Sequence, residues 1–137
     1  MPKRIVAAVL GLLMGANGLA MLLAGAWWYG AVPGVVATGP FNPHFVMDIG
    51  VAFLVTAAGL GWFAARPVQG WPAAVMGAAF LGLHAVIHLI GAFTGGGHHG
   101  DMHHGGGGLA DLIRDFPGVY LPALLAAWIV ARKPKGA

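Results

Sequence analysis

The sequence contains no cysteine and very little charge. Of its 137 residues, 8% are Asp, Glu, Lys or Arg and 58% are hydrophobic, with a mean hydropathy of +0.79. The lack of cysteine excludes disulfides, thiolate metal sites and cysteine nucleophiles. A soluble domain carries about 25% charged residues, so this composition excludes a soluble globular protein. Seven Lys and Arg scattered along an apolar chain form no basic stripe, and no nucleic-acid partner is expected.

Four apolar stretches are each close to the roughly 20 residues that cross a bilayer. They cover residues 5–27, 43–65, 71–93 and 109–131 of a single domain, residues 1–137. The sequence therefore predicts an all-α integral membrane protein, an antiparallel up-and-down four-helix bundle with the lipid bilayer as its surroundings. Residues 66–70 predict a tight hairpin between the second and third spans, while Asn42 and Pro43 predict the start of the second helix.

Basic residues set the expected orientation of the spans. One side of this layout receives Lys3, Arg4, Arg66, Arg132, Lys133 and Lys135, and the other receives only Arg114. Cytoplasmic loops are rich in Lys and Arg, so both termini are expected in the cytoplasm of a bacterial inner membrane, with Trp62, Trp71 and Trp128 in the inner aromatic belt. Alternatively, the first span is a secretory signal cleaved near residues 24–26, which would leave three spans.

All acidic residues and all histidines map to the outer half of this layout. Two pairs share a spacing of four residues, His44 with Asp48 and His84 with His88, which puts both members on one helix face. Counting outward from the hairpin places Asp48 level with His88. A similar count along the fourth span places Asp111 level with His88, and Asp115 level with His84.

Imidazoles and carboxylates converging from neighbouring helices are suitable ligands for a divalent transition metal. The sequence predicts a main site of His44, Asp48, His84 and His88, with Asp111 and Asp115 as further candidate ligands. Copper or zinc is favoured and iron also fits. Three alternatives remain open at this point. Asp48 and His88 could instead form a structural hydrogen-bonded pair. Asp115 could cap the fourth helix ahead of Pro117, and Asp111 could pair with Arg114.

A Gly/His-rich loop at residues 94–108 connects the third and fourth spans. It carries four histidines, an aspartate and a methionine, namely His98, His99, Asp101, Met102, His103 and His104. Such a tether suits weak, adaptable capture of metal and could feed the site in the membrane. The alternative is a solvated linker with incidental histidines.

Three functions are compatible with these patterns. The first is a membrane protein with an outward-facing metal site that delivers, senses or stores metal or uses it in redox chemistry; whether it is an enzyme stays open. The second is an electron-transfer subunit with haem b on His44 and either His84 or His88. The third is an accessory subunit or homo-oligomer that packs through small-residue helix faces. In the first span Ala7, Gly11 and Gly15 form such a row, and Asn17 predicts an interhelical hydrogen bond.

Two segments carry a resemblance to a known group of proteins. They are FNPHFVMDIG at residues 41–50 and DFPGVYLP at residues 115–122. Together with the four-span layout, they resemble segments of small bacterial membrane proteins that are broadly DoxX-like. The resemblance implies a four-helix inner-membrane protein, and it transfers no catalytic residue to this chain.

Overall fold

The protein is represented by a computed structural model that describes residues 1–94 and 108–135. Within these residues the fold is entirely helical. The helices are α1 Pro2–Leu23, α2 Gly25–Ala31, α3 Pro43–Ala65, α4 Pro67–Thr94, α5 Leu109–Asp115 and α6 Leu121–Val130. A 3-10 turn, Val35–Thr38, lies between α2 and α3, and a π-helical turn, Phe116–Tyr120, joins α5 to α6.

Four helical stretches are long and apolar enough to cross a membrane. They are α1, α3, α4 and the continuous stretch Leu109–Val130, formed by α5, the π-helical turn and α6. Large apolar side chains cover their outside: Leu12, Leu23, Met76 and Phe93 are 75%, 81%, 70% and 74% exposed. In water such surface would favour aggregation, whereas lipid chains accommodate it. The fold thus indicates a multi-pass membrane protein.

The helices pack around a thin apolar core. α1 lies along α3, α3 along α4, and α4 against α6, which also touches α1. The core is built mostly from larger apolar side chains with a few alanines between them. They include Leu10, Met14, Phe53, Leu60, Leu81, Ala126 and Ile129.

The predicted small-residue row of α1 makes a close contact with α3. Ala7 is fully buried, and a Cβ atom on Gly11 would lie 3.2 Å from the carbonyl oxygen of Ala57. Two turns beyond Gly11 and outside the predicted row, a Cβ atom on Gly18 would lie 2.7 Å from the carbonyl oxygen of Gly50. Larger side chains would push the two backbones apart. This row therefore packs against α3 within the chain.

The hairpin between α3 and α4 is tighter than the sequence predicts. Only Arg66 lies outside the helices, because α4 already begins at Pro67. Proline suits the first helical position, since its φ angle is preset and it has no N–H to satisfy. Gly70 allows the contact, because a Cβ atom there would collide with the backbone of Phe63.

The ends of α1 and α3 follow local signals. α1 stops at Leu23, earlier than expected, and the chain bends at Ala24 into α2. The predicted interhelical bond of Asn17 is confirmed with a partner in α2, since the Trp28 indole Nε1 donates to Asn17 Oδ1 over 2.8 Å. The predicted cap of α3 is also confirmed, because Asn42 Oδ1 accepts from the backbone N–H of Phe45 at 3.1 Å.

Side chains from one end of the bundle satisfy helix C-termini. Lys3 Nζ donates to the carbonyl oxygen of Ile129 at 3.0 Å, and Arg4 Nε donates to that of Ala64 at 2.8 Å. The Trp71 indole donates to the carbonyl oxygen of Val130 at 3.2 Å. The last carbonyls of a helix lack partners within it, so these bonds stabilise the ends of α3 and α6.

Candidate functional site

A histidine and an aspartate from different helices form the central contact of the candidate site. His88 Nδ1 on α4 lies 2.7 Å from Asp115 Oδ2 at the end of α5. The Asp115 side chain is only 9% exposed, and that of His88 is 32% exposed. A buried carboxylate is costly unless it is paired and hydrogen-bonded, so this contact ties α5 to α4.

Arg114 supplies the charge that balances Asp115. Its Nε and one terminal nitrogen donate to the two Asp115 oxygens at 2.8 and 3.3 Å. The other terminal nitrogen donates to Asp111 Oδ1 at 2.8 Å, which confirms the alternative pairing of Asp111 with Arg114. Four side chains thus form one connected network, in which Asp115 accepts hydrogen bonds from both α4 and its own neighbour in sequence.

The network fixes which nitrogen of His88 faces outward from the pair. The Asp115 carboxylate, paired with Arg114, acts as an acceptor, so Nδ1 of His88 is the nitrogen that carries the proton. In a neutral imidazole the other nitrogen, Nε2, then carries a lone pair that can accept a hydrogen bond or serve as a ligand atom.

His84 lies beside this pair in an aromatic setting. Its ring centroid is 4.7 Å from that of His88, at an interplanar angle of 63°. On its other side it stacks on Phe80 at 6.0 Å and 18°, and meets the edge of Phe53 at 6.1 Å. Two imidazoles one helical turn apart are thereby held in contact, with one of them positioned by packing and the other by hydrogen bonding.

A π-helical turn lies between Asp115 and α6. The backbone N–H of Leu121 bonds to the carbonyl oxygen of Phe116, a wider turn than that of an α-helix. The sequence placed Asp115 level with His84 and Asp111 level with His88, but the structure pairs Asp115 with His88. A count of residues gives only depth along the helix, whereas the wider turn changes the rotation of α5 relative to α6. The side chain of Asp115 makes no capping bond, so the alternative role as a helix cap is wrong.

His44 and Asp48 form a separate pair at the start of α3. His44 Nδ1 lies 3.1 Å from Asp48 Oδ2, and the two side chains are 84% and 66% exposed. The pairing of Asp48 with His88 is therefore not the one found, since each of them has another partner. Within residues 1–94 and 108–135, no three His, Asp or Glu side chains are grouped so as to hold one metal ion. The four residues of the expected main site form two pairs instead.

Several contacts of this site were not predicted from the sequence. Gly34, with a φ of 85°, lies against the Arg114 guanidinium: a Cβ atom there would be 2.7 Å from Nε. Tyr120, on the π-helical turn, buries its hydroxyl with no partner among the described residues. Gly34 stands in no recognisable motif, whereas Tyr120 belongs to the segment DFPGVYLP that was singled out in the sequence without a role for the tyrosine. The loop ligands His98, His99, His103 and His104, with Asp101, lie outside the described residues.

Comparison with known proteins assigns no family to this chain. No family model, no curated protein and no solved structure matches the chain.

Proposed function

We propose that the chain binds a divalent transition metal through His84 and His88, at the outer end of a bundle in the bacterial inner membrane. The observation that carries the proposal is the bond from His88 Nδ1 to the buried Asp115 carboxylate. Metal-binding histidines usually donate a hydrogen bond from their second ring nitrogen to such a carboxylate. This bond fixes the orientation of the ring and raises the basicity of the ligand nitrogen. His84 then supplies a neighbouring imidazole, 4.7 Å away between ring centroids.

Copper or zinc is the metal that this ligand set favours, with iron as a further candidate. Imidazole suits all three ions. Two protein ligands leave coordination positions open, and an open position is what metal delivery, sensing or metal-assisted chemistry requires. His44 and Asp48 belong to a separate exposed pair and are not ligands of this site in the proposal.

The proposed setting is an antiparallel bundle with both termini in the cytoplasm. In support, Arg4 near the start of α1 bonds to the end of α3, and Trp71 near the start of α4 bonds to the end of α6. Successive spans that run in opposite directions would give these contacts. Six of the seven Lys and Arg would then face the cytoplasm, as expected for a bacterial inner-membrane protein.

A structural network is the second candidate function. Asp115 already accepts hydrogen bonds from Arg114 and His88 with both oxygens, and Arg114 also holds Asp111. Such a network is complete without a metal. In this alternative the chain is an accessory subunit whose polar cluster fixes α5 on α4.

Metal analysis of the protein purified in mild detergent separates the candidates. We expect close to stoichiometric copper or zinc in the parent protein, and its loss in His84→Ala and in His88→Ala. His44→Ala is the matched control, because His44 also faces an aspartate one turn away but on an exposed surface. Deleting residues 98–104 should leave tight binding intact, since a glycine-rich tether must be ordered to bind.

Lowering the pH gives a second readout. Only neutral imidazole binds metal, and an isolated imidazole takes up a proton at about pH 6.5. The metal should therefore leave below about pH 6 while the fold persists. A haem absorption band in the parent protein would favour the haem alternative, and the absence of any bound metal would favour the structural network.

A further inference from the structure

A second candidate site lies at the opposite end of the bundle from the histidines. A cavity of ≈ 350 Å³ opens where α1 begins and where the chain leaves α6. Four cationic side chains line it, Lys3 and Arg4 from the start of the chain and Arg132 and Lys133 from its end. We call this the basic cavity. Nothing in the proposed metal site requires it.

The charge of the basic cavity is not balanced by acidic side chains. No carboxylate of a described residue forms an ion pair with any of its four cations. Lys3 and Arg4 donate instead to carbonyl oxygens of Ile129 and Ala64, which are neutral. Lys133 lies over the Trp71 ring, with Nζ 5.8 Å from its centroid. Four cationic side chains without an ion-paired carboxylate among the described residues favour an anion in this cavity.

The walls of the basic cavity point to a ligand that also has an apolar part. Pro67 and Pro134, which are both partly exposed, line it beside the cations. Pro67 is also the first residue of α4, a helix of 28 residues whose N-terminus carries a partial positive charge. A hydrated inorganic ion gains nothing from apolar walls, whereas a phospholipid presents a phosphate and an adjoining apolar chain.

The simpler explanation of these cations is that they orient the protein in the membrane. Orientation depends on how many Lys and Arg face each side, and it does not require residues from the two chain ends to line one cavity. Arg66 and Lys135 belong to the same excess of charge and do not line it.

We propose that the basic cavity binds the phosphate head group of an anionic phospholipid. Basic pockets between membrane helices on the cytoplasmic side recognise lipid head groups in this way. Arg132 and Lys133 contact the phosphate, and Pro67 and Pro134 contact the apolar part next to it. The bound lipid bridges the two ends of the chain.

Lipid titration of the full-length protein in detergent tests the proposal, with thermal stability as the signal. Phosphatidylglycerol should half-saturate the protein at a concentration on the order of tenfold lower than phosphatidylcholine. The double variant Arg132→Gln/Lys133→Gln should weaken phosphatidylglycerol binding by about tenfold or more, since each basic residue near anionic lipid contributes about fivefold. These substitutions leave the Lys3 and Arg4 bonds to the helix ends in place.

The matched control is Arg66→Gln/Lys135→Gln, which removes two charges outside the basic cavity. It should change lipid binding by less than about twofold. An equal loss in both double variants would mean a general surface potential and would overturn the proposal. Equal binding of the two lipids would overturn it as well. Saturation by inorganic phosphate at the same concentration as phosphatidylglycerol would replace the lipid with a free anion.

Discussion

The two histidine–aspartate pairs of this protein contain the same side chains in different surroundings. His44 and Asp48 lie one turn apart on α3, 3.1 Å from each other and largely exposed. His88 and Asp115 come from α4 and α5, and His88 Nδ1 lies 2.7 Å from Asp115 Oδ2. The Asp115 side chain is only 9% exposed. Arg114 completes the second pair, and the first has no such third member among the described residues.

This difference shows how burial changes the contribution of the same contact to the stability of the fold. An exposed pair at this spacing on a helix contributes about 0.3–0.5 kcal/mol, because water competes for both partners. A buried carboxylate depends on its partners, and removing one of them leaves a charge without compensation. The His88–Asp115 pair therefore holds α5 in place on α4, whereas the exposed His44–Asp48 pair contributes little to the stability of the fold.

The largest effect is expected from removing the arginine that only the buried pair has. Arg114→Met should destabilise the fold by about 2–3 kcal/mol, because Asp115 would then depend on His88 alone. This lies below the usual cost of about 3–5 kcal/mol for breaking a buried ion pair, since Arg114 is itself 40% exposed. Equilibrium unfolding in mixed micelles measures the change. Arg114→Met/Asp115→Asn should recover part of the loss, and a double variant as unstable as the sum of its single variants would show that the two residues are not coupled.

The next effect concerns metal affinity. Asp115→Asn should weaken metal binding by about 10- to 100-fold, because the amide orients the His88 ring less firmly and does not raise its basicity. Asp48→Asn is the control, and it should leave the affinity unchanged. Titration with a chelator as competitor gives both values. If both variants bind metal as the parent does, Asp115 does not position the ligand.

A glycine against the arginine gives a smaller effect. Gly34→Ala should cost about 1 kcal/mol more in the parent protein than in the Arg114→Met variant. The φ angle of Gly34 is 85°, so the substitution strains the backbone equally in both backgrounds. Only with the arginine present would the new Cβ atom also displace the guanidinium, since it would lie 2.7 Å from Arg114 Nε. An equal loss of stability in the two backgrounds would mean that Arg114 moves aside freely.

The smallest effect is expected at the exposed pair. Asp48→Asn should change the free energy of unfolding by no more than about 0.5 kcal/mol, with raised salt reducing the difference further. Measuring the same variant at low and high ionic strength checks both points. A loss above about 1 kcal/mol would mean that this pair is shielded from solvent, in contrast to its exposure here.

Sequence reasoning reached the helices of this protein more easily than its site. The apolar stretches gave all four spanning helices, and Asn42 and Pro43 gave the start of α3 correctly. The pairing of the acidic residues was less accessible. Counting outward from Ala131 placed Asp115 level with His84, because a residue count contains neither the rotation of a helix nor the π-helical turn at Phe116–Tyr120. The expected convergence of His44 and Asp48 with His84 and His88 also required a helix rotation that a residue count does not contain.

The sequence by itself determined the helical, membrane-spanning character of the chain. About 20 consecutive apolar residues match the thickness of the bilayer core, and a helix satisfies its own backbone polar groups there. It also determined that His84 and His88 share a helix face, since a spacing of four residues fixes this. Only the tertiary structure decided that Asp115 and Arg114 complete the cluster around His88 and that Lys3 and Lys133 line one cavity. These partners depend on how whole helices rotate and pack against one another, which no single segment encodes.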